Sequence, residues 1–222
     1  MMNLEYDAKE FDKTRKFSLK REVFEWVYTI VIALAVAFVI KCFILDIVAV
    51  EGPSMFPTLT TGDRLLVTKL GYKPKQGDIV ILDSTYKDRE KFYEETAAAK
   101  NENVNLLYKI LNYSNVPEEI EIKYYVKRVI AVGGETVDLR DGYVYVNDEK
   151  IDEPYYDGVT NPIDPSMEFP QTVEDGYVFV MGDNRPRSLD SRDSSLGQVP
   201  EKAVIGHSQF RVWPLTSLGA TK

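Results

Sequence analysis

Fifteen successive residues, Trp26 to Ile40 (WVYTIVIALAVAFVI), carry no charge, and after a single Lys41 the apolar character resumes as CFIL (42–45). No other property of the chain narrows its possible folds as much. Taken as 23–45, the segment is long enough as a helix to cross a hydrocarbon layer of about 30 Å, which takes roughly 20 residues. Glu25 and Lys41 then lie near its ends, where the lysine stem can reach the interface. A buried core helix would show a polar stripe, and none interrupts these fifteen positions. A cleaved secretory leader is the other alternative, since Ala33, Ala35 and Ala37 offer small residues at alternating positions. They stand in mid-run, however, followed by Phe38, Val39 and Ile40 instead of a polar stretch, so the segment is read as an uncleaved anchor. Lys9, Lys13, Arg15, Lys16, Lys20 and Arg21 precede it, whereas after Lys41 the next basic residue is Arg64. That bias predicts a cytoplasmic tail (1–22) and an extracytoplasmic domain (46–222).

A chain of 222 residues, 44% hydrophobic and 28% charged, can give that domain an ordinary core. The net charge of -8, without a sizeable basic patch, argues against nucleic-acid binding. Cys42 is the only cysteine, which excludes an internal disulfide and a cysteine-rich metal site. Beyond the anchor the texture is β. DIVAV (46–50), RLLVTKL (64–70) and DIVIL (78–82) are short β-branched runs separated by turn residues such as Thr61-Gly62-Asp63 and Gln76-Gly77-Asp78. YYVKRVIAV (124–132) is a longer run, and 135–151 reads as a hairpin about Asp141-Gly142. With GYVFVMGD (176–183) and HSQFRVW (207–213) these predict about eight strands in a mostly β domain. One stretch breaks the pattern: 86–121 has an Ala run, charged faces and no alternation, and reads as a helical insertion with a solvated surface. Residues 154–170, rich in Pro, Asp and Gly, read as a surface loop.

The segment EGPSMFPTL (51–59) sets Ser54 among rigid neighbours, and a serine nucleophile needs a base. His207, the only histidine, falls within an apparent strand and reads as structural or surface-facing. No H-E-x-x-H or clustered carboxylates suggest a metal, so none is expected. Lysine remains, provided its neutral form is populated. At a reference pKa of about 10.4 less than roughly 0.1% is neutral at pH 7, and burial in an apolar site can lower the value by up to about 3–5 units. A catalytic lysine should therefore sit in an apolar strand. Lys127 in YYVKRVIAV does, on the face shared by Tyr125 and Val129, while Lys69, at the end of RLLVTK, is its main rival. A third polar constellation, GDNRPRSLDSRDS (182–194), follows directly on an apolar strand. It reads either as a turn of local Asp–Arg pairs or as a rigid scaffold that orients a buried base through a serine hydroxyl.

Taken together, SMFPTL (54–59), GDRLLV (62–67), VKRVIAVGGETV (126–137), GDNRPRSLDSR (182–192) and FRVWP (210–214), in that order behind an anchor, resemble the type I signal peptidases, membrane-bound Ser-Lys proteases. The resemblance covers nearly all of 46–215 except the insertion. It implies a mostly β, antiparallel-sheet catalytic domain, with Ser54 as nucleophile and Lys127 as general base. By the same resemblance Ser188 orients Lys127, and Asp183, Asp190 and Arg192 hold that wall in place. Val48, Val50, Met55, Leu59, Tyr125 and Val126 are implied to line shallow apolar substrate pockets, fitted to the small residues of an A-x-A cleavage site. Secretory precursors bearing signal peptides would be the substrates, membrane lipid the surroundings, and no cofactor is implied. Some members carry Ser-Gly before the nucleophile, the first serine giving its hydroxyl to the oxyanion hole. Here the pair is Gly52-Pro53, which leaves the Ser54 backbone N–H as the donor. Two other readings compete: a self-cleaving Ser-Lys repressor, which the anchor and acidic balance disfavour, and an anchored binding protein without catalysis, which intact Ser54 and Lys127 disfavour.

Overall fold

The computed structural model describes residues 19–221, so that most of the expected cytoplasmic tail lies outside the described residues. The chain divides between Phe43 and Ile44 into two compact units. The first is built on α1 (Leu19–Val39), whose hydropathy and length suffice to cross a membrane and whose span is 0% buried. Phe24, Trp26, Leu34 and Phe38 are all exposed. The helix passes into a π-helical turn, Ile40–Ile44.

The second unit is β-rich. Its strands are β1 (Leu45–Ala49), β2 (Arg64–Thr68), β3 (Ile79–Asp83), β4 (Tyr124–Val132), β5 (Thr136–Arg140), β6 (Tyr143–Val146), β7 (Glu149–Lys150), β8 (Gln171–Thr172), β9 (Tyr177–Met181), β10 (Val199–Pro200), β11 (Val204–Trp213) and β12 (Gly219–Ala220). The larger sheet runs β1-β2-β11-β3-β4-β9-β10 with β12 on β11, and the smaller runs β7-β6-β5-β8. Every pairing is antiparallel. The mostly β, antiparallel expectation therefore holds.

Local chemistry accounts for the elements. All five residues of β3 are buried, the mark of a strand covered on both faces, and its run IVIL has no polar position to turn to solvent. In β9 the alternation is clean: Val178 and Val180 enter one apolar cluster with Val80, Leu82 and Val129. Phe179 and Met181 enter another with Val137, Val144 and Val146 of the smaller sheet. Asp141 and Gly142 take φ values of 55° and 80°, the left-handed pair that a tight hairpin between β5 and β6 demands. A second such pair, Asn147 and Asp148 at 53° and 67°, returns the chain as β7, a third strand beyond the expected hairpin.

The insertion between β3 and β4 holds α2 (Tyr86–Lys100) and α3 (Leu106–Leu111). Asn101, at φ 53°, ends α2, with the Glu102 N–H returning to the Ala97 carbonyl, and the Asn105 side chain caps α3 by accepting from the Tyr108 N–H. Tyr93, Ala97, Tyr108 and Val116 form its own small core. The insertion is rooted by the buried Arg89–Asp83 pair.

Candidate active site

Ser54 stands in the loop from β1 to β2, and its neighbours fix that loop from below. Met55 and Leu59 are 1% exposed and pack with Val50, Leu65, Val67, Ile79 and Ile81. Their burial makes the loop part of the core, and Val50 N–H to Asp63 O (2.8 Å) and Gly62 N–H to Val50 O (2.9 Å) close its base. Here the structure differs from the sequence expectation. Val50, Met55 and Leu59 lie beneath the cleft as packing residues, whereas Val48, Tyr125 and Val126 line it. A strand exposes alternate residues, and Val48 and Val50 both pack toward this cluster, but Val50 is sealed by the returning loop.

The cleft has a volume of about 550 Å³ and brings Ser54 and Lys127 together, walled by β1 on one side and by Tyr124, Tyr125 and Val126 on the other. A larger hollow of about 970 Å³ lies against Arg128 and Tyr155 and contains neither residue. The two hollows divide β4 along its length, the cleft meeting Tyr124 to Lys127 and the larger hollow Arg128 to Ile130. Lys127 is 3% exposed and lies over the ring of Tyr125, 5.3 Å from its centroid. Burial lowers its pKa from 10.5 to about 8; the Asp190 carboxylate opposes the shift, Arg192 assists it, and Asp183 opposes it.

Why two carboxylates fail to restore the charge is clear from their partners. Asp190 is buried and accepts from Arg192 Nε (2.8 Å) and Nη2 (2.9 Å) and from the Gly182 N–H (2.9 Å). Asp183, also buried, accepts from Arg128 Nε (2.8 Å) and Nη2 (2.7 Å) and from the Thr58 hydroxyl. Each carboxylate is thus committed to a guanidinium by paired bonds, which offsets its pull on Lys127. The 182–192 segment makes the local Asp190–Arg192 pair read from its sequence, and it is also tied to the rest of the fold by Arg128 and Thr58 on Asp183 and by Glu153 on Arg185. Arg128, Thr58 and Glu153 were missed because pairing across the fold leaves no spacing signal; only Arg128, next to Lys127 in an apolar strand, could have been questioned.

Ser188 is 6% exposed, and among the described residues its Oγ has no hydrogen-bond partner. A buried, unpaired hydroxyl is uncommon and marks a place where a polar group is expected. It converges with the nucleophile loop at Gly182, whose absent side chain leaves room: a Cβ there would stand 2.3 Å from Ser188 Oγ and 2.5 Å from the Ser54 carbonyl oxygen. The rival lysine, Lys69, is tied to Asp46 at 2.7 Å. His207 is stacked on Tyr72 at 4.1 Å, bonded through Nδ1 to Thr68 Oγ1, and absent from the cleft lining.

The Arg192–Asp190 pair yields a measurable expectation. Replacing Arg192 with methionine should destabilise the fold by about 3–5 kcal/mol, as removal of one partner of a buried pair does. The unopposed Asp190 should also favour protonated Lys127, moving the midpoint of any activity that needs the neutral amine above about 8. Denaturant unfolding and a pH–rate profile measure the two effects separately.

The sequence profile described as "Signal peptidase, peptidase S26" matches residues 23–213. Signal peptidase I of Bacillus licheniformis is 36% identical, over 91% of this chain and 95% of its own length. Signal peptidase I T of Bacillus subtilis (strain 168) is 35% identical, over 89% of each chain. A crystal structure of a signal peptidase I from Enterococcus faecalis V583 aligns with a TM-score of 0.40 at 25% identity, covering 61% of this chain and 97% of that one.

Proposed function

The chain belongs to the signal peptidase family, peptidase S26, and from that premise we propose that it is a membrane-anchored serine endopeptidase removing N-terminal signal peptides from secretory precursors. The observation that carries this reading is the shared cleft of Ser54 and a buried Lys127 whose pKa is lowered to about 8. Neutral Lys127 takes the Ser54 proton as Oγ attacks the scissile carbonyl, and the ammonium so formed returns a proton to the departing amine. Water, deprotonated by the same lysine, then hydrolyses the ester. Ser188, with its unpaired buried hydroxyl, is suited to hold the Lys127 amine in line. The residue before the scissile bond would lie extended between β1 and the start of β4, against Val48, Tyr125 and Val126.

The basic residues ahead of α1 favour a cytoplasmic N-terminus and cleavage at the outer membrane face, with 23–45 as the span. The test is incubation of the detergent-solubilised full chain with a precursor bearing an A-x-A signal peptide, the product read by mass spectrometry. A new N-terminus directly after the small-residue site is expected. An intact precursor, or cleavage elsewhere in the chain, overturns the reading.

A further inference from the structure

Gly52 takes a φ of 83° and its Cβ position faces open space, so no side-chain hydroxyl stands where an oxyanion donor could be offered from that residue. Among the described residues the Ser54 backbone N–H donates to no other group. What aims it is a contact from the other wall. Asn184, in the segment after β9, donates from Nδ2 to the Pro53 carbonyl at 3.0 Å and from its backbone N–H to the Ser54 carbonyl at 2.9 Å. The Pro53 carbonyl and the Ser54 N–H belong to one peptide unit, which is trans and planar, so they point in opposite directions along one rigid plate. Fixing the carbonyl therefore fixes the N–H. The second bond, to the next carbonyl, prevents the two peptide planes from rotating together about the nucleophile. The Phe56 N–H, at 3.1 Å from the same Pro53 carbonyl, supplies the local half of the restraint, and Asn184 ties it to the wall that carries Ser188 and Asp190.

We infer that Asn184 is a positioning residue that aims the Ser54 N–H at the oxyanion of the tetrahedral intermediate. The inference rests on Ser54 acting as nucleophile. It gives a separate role to a residue 130 positions from Ser54, one that does not line the cleft. A donor held in advance of the reaction acts without reorganisation when charge develops, and losing one costs about 10²–10³ in kcat. Because Phe56 still holds the carbonyl, loosening the plate forfeits part of that.

The experiment uses the full chain with a signal-peptide precursor and two substitutions, Asn184→Ala and Asn184→Asp. Aspartate keeps size and shape and leaves the backbone N–H in place, but its carboxylate cannot donate to the Pro53 carbonyl. Both variants should lose about tenfold to a hundredfold in kcat. KM should stay within about twofold in both, and in Asn184→Ala, which adds no charge, the pH midpoint set by Lys127 should stay where it is in the parent, since neither substrate binding nor the base is touched. Full activity in Asn184→Asp, or a loss confined to KM, or a fall in kcat that only tracks a fall in thermal midpoint, overturns the inference. Lys127→Ala, assayed alongside, separates this failure from failure of the dyad. An active Lys127 variant removes the premise, whereas a dead Lys127 variant beside fully active Asn184 variants removes only the role of Asn184.

Discussion

Replacing Lys127 with alanine should lower precursor cleavage by about 10³-fold or more, while the thermal midpoint at pH 7 holds or rises. The size follows from what is removed: general acid–base assistance is worth about 10²–10⁴, and a nucleophile and its base act as a unit, so losing either forfeits most of their joint effect. Stability moves the other way. The lysine titrates near 8 in the fold against 10.5 outside it, a difference worth about 3 kcal/mol. The unfolded chain therefore holds this proton more tightly, so stability declines as the pH falls from 10.5 to about 8 and the whole cost is present below that. Lys127→Met, which fills the space, should recover that energy while remaining inactive. In the parent protein kcat/KM should climb through pH 8 and then level, because only about a tenth of the lysine is neutral at pH 7. A variant retaining more than about a tenth of parental activity would exclude Lys127 as the base.

Gly182→Ala should be nearly as damaging, by steric rather than chemical means. The added methyl would meet the Ser54 carbonyl oxygen at 2.5 Å and Ser188 Oγ at 2.3 Å, well inside the contact distance of any real Cβ. The first obstacle is backbone, held by a hydrogen bond from the Asn184 N–H and followed in the chain by buried Met55, so it cannot swing away freely. Either the Ser54 loop lifts or the Ser188 wall retreats, and a misplacement of about 1 Å at a reacting group can cost about 10²-fold. Activity should fall by about that factor with a loss of about 1–3 kcal/mol in stability from overpacking. Measured together, cleavage kinetics and denaturant unfolding decide it: an active, fully stable alanine variant would mean that the two walls are not in contact as described.

Much of this was legible in the residues. YYVKRVIAV coincides with β4 from first residue to last, because β-branched and aromatic side chains leave no other regular backbone for so long a run. The Asp141-Gly142 turn was readable from its chemistry alone; the third strand of that unit was not, although Asn147-Asp148 offered the same left-handed pair. The insertion is helical as expected, in two short pieces joined by the Asn101 cap and the Asn105 start. Pocket residues were less legible. Met55 and Leu59 are apolar and adjacent to the nucleophile whether they line a cleft or anchor a loop, and sequence carries no term that separates the two uses.

An uninterrupted apolar run, a serine among prolines and a lysine inside a β-branched strand constrain the chemistry before any fold is known, since each states a cost that only one kind of environment can meet. The run needs lipid or an equivalent, and the lysine needs burial. What the tertiary structure decided is which groups answer one another. Arg128 and Arg192 occupy the two carboxylates that would otherwise recharge Lys127, and Asn184 reaches across from another wall to the peptide that carries the Ser54 N–H. The Asp190–Arg192 pair is local, but the Arg128–Asp183 and Asn184–Pro53 contacts join segments more than fifty residues apart at about 3 Å, and electrostatic and hydrogen-bond energies change too steeply with distance for composition or periodicity to foretell them.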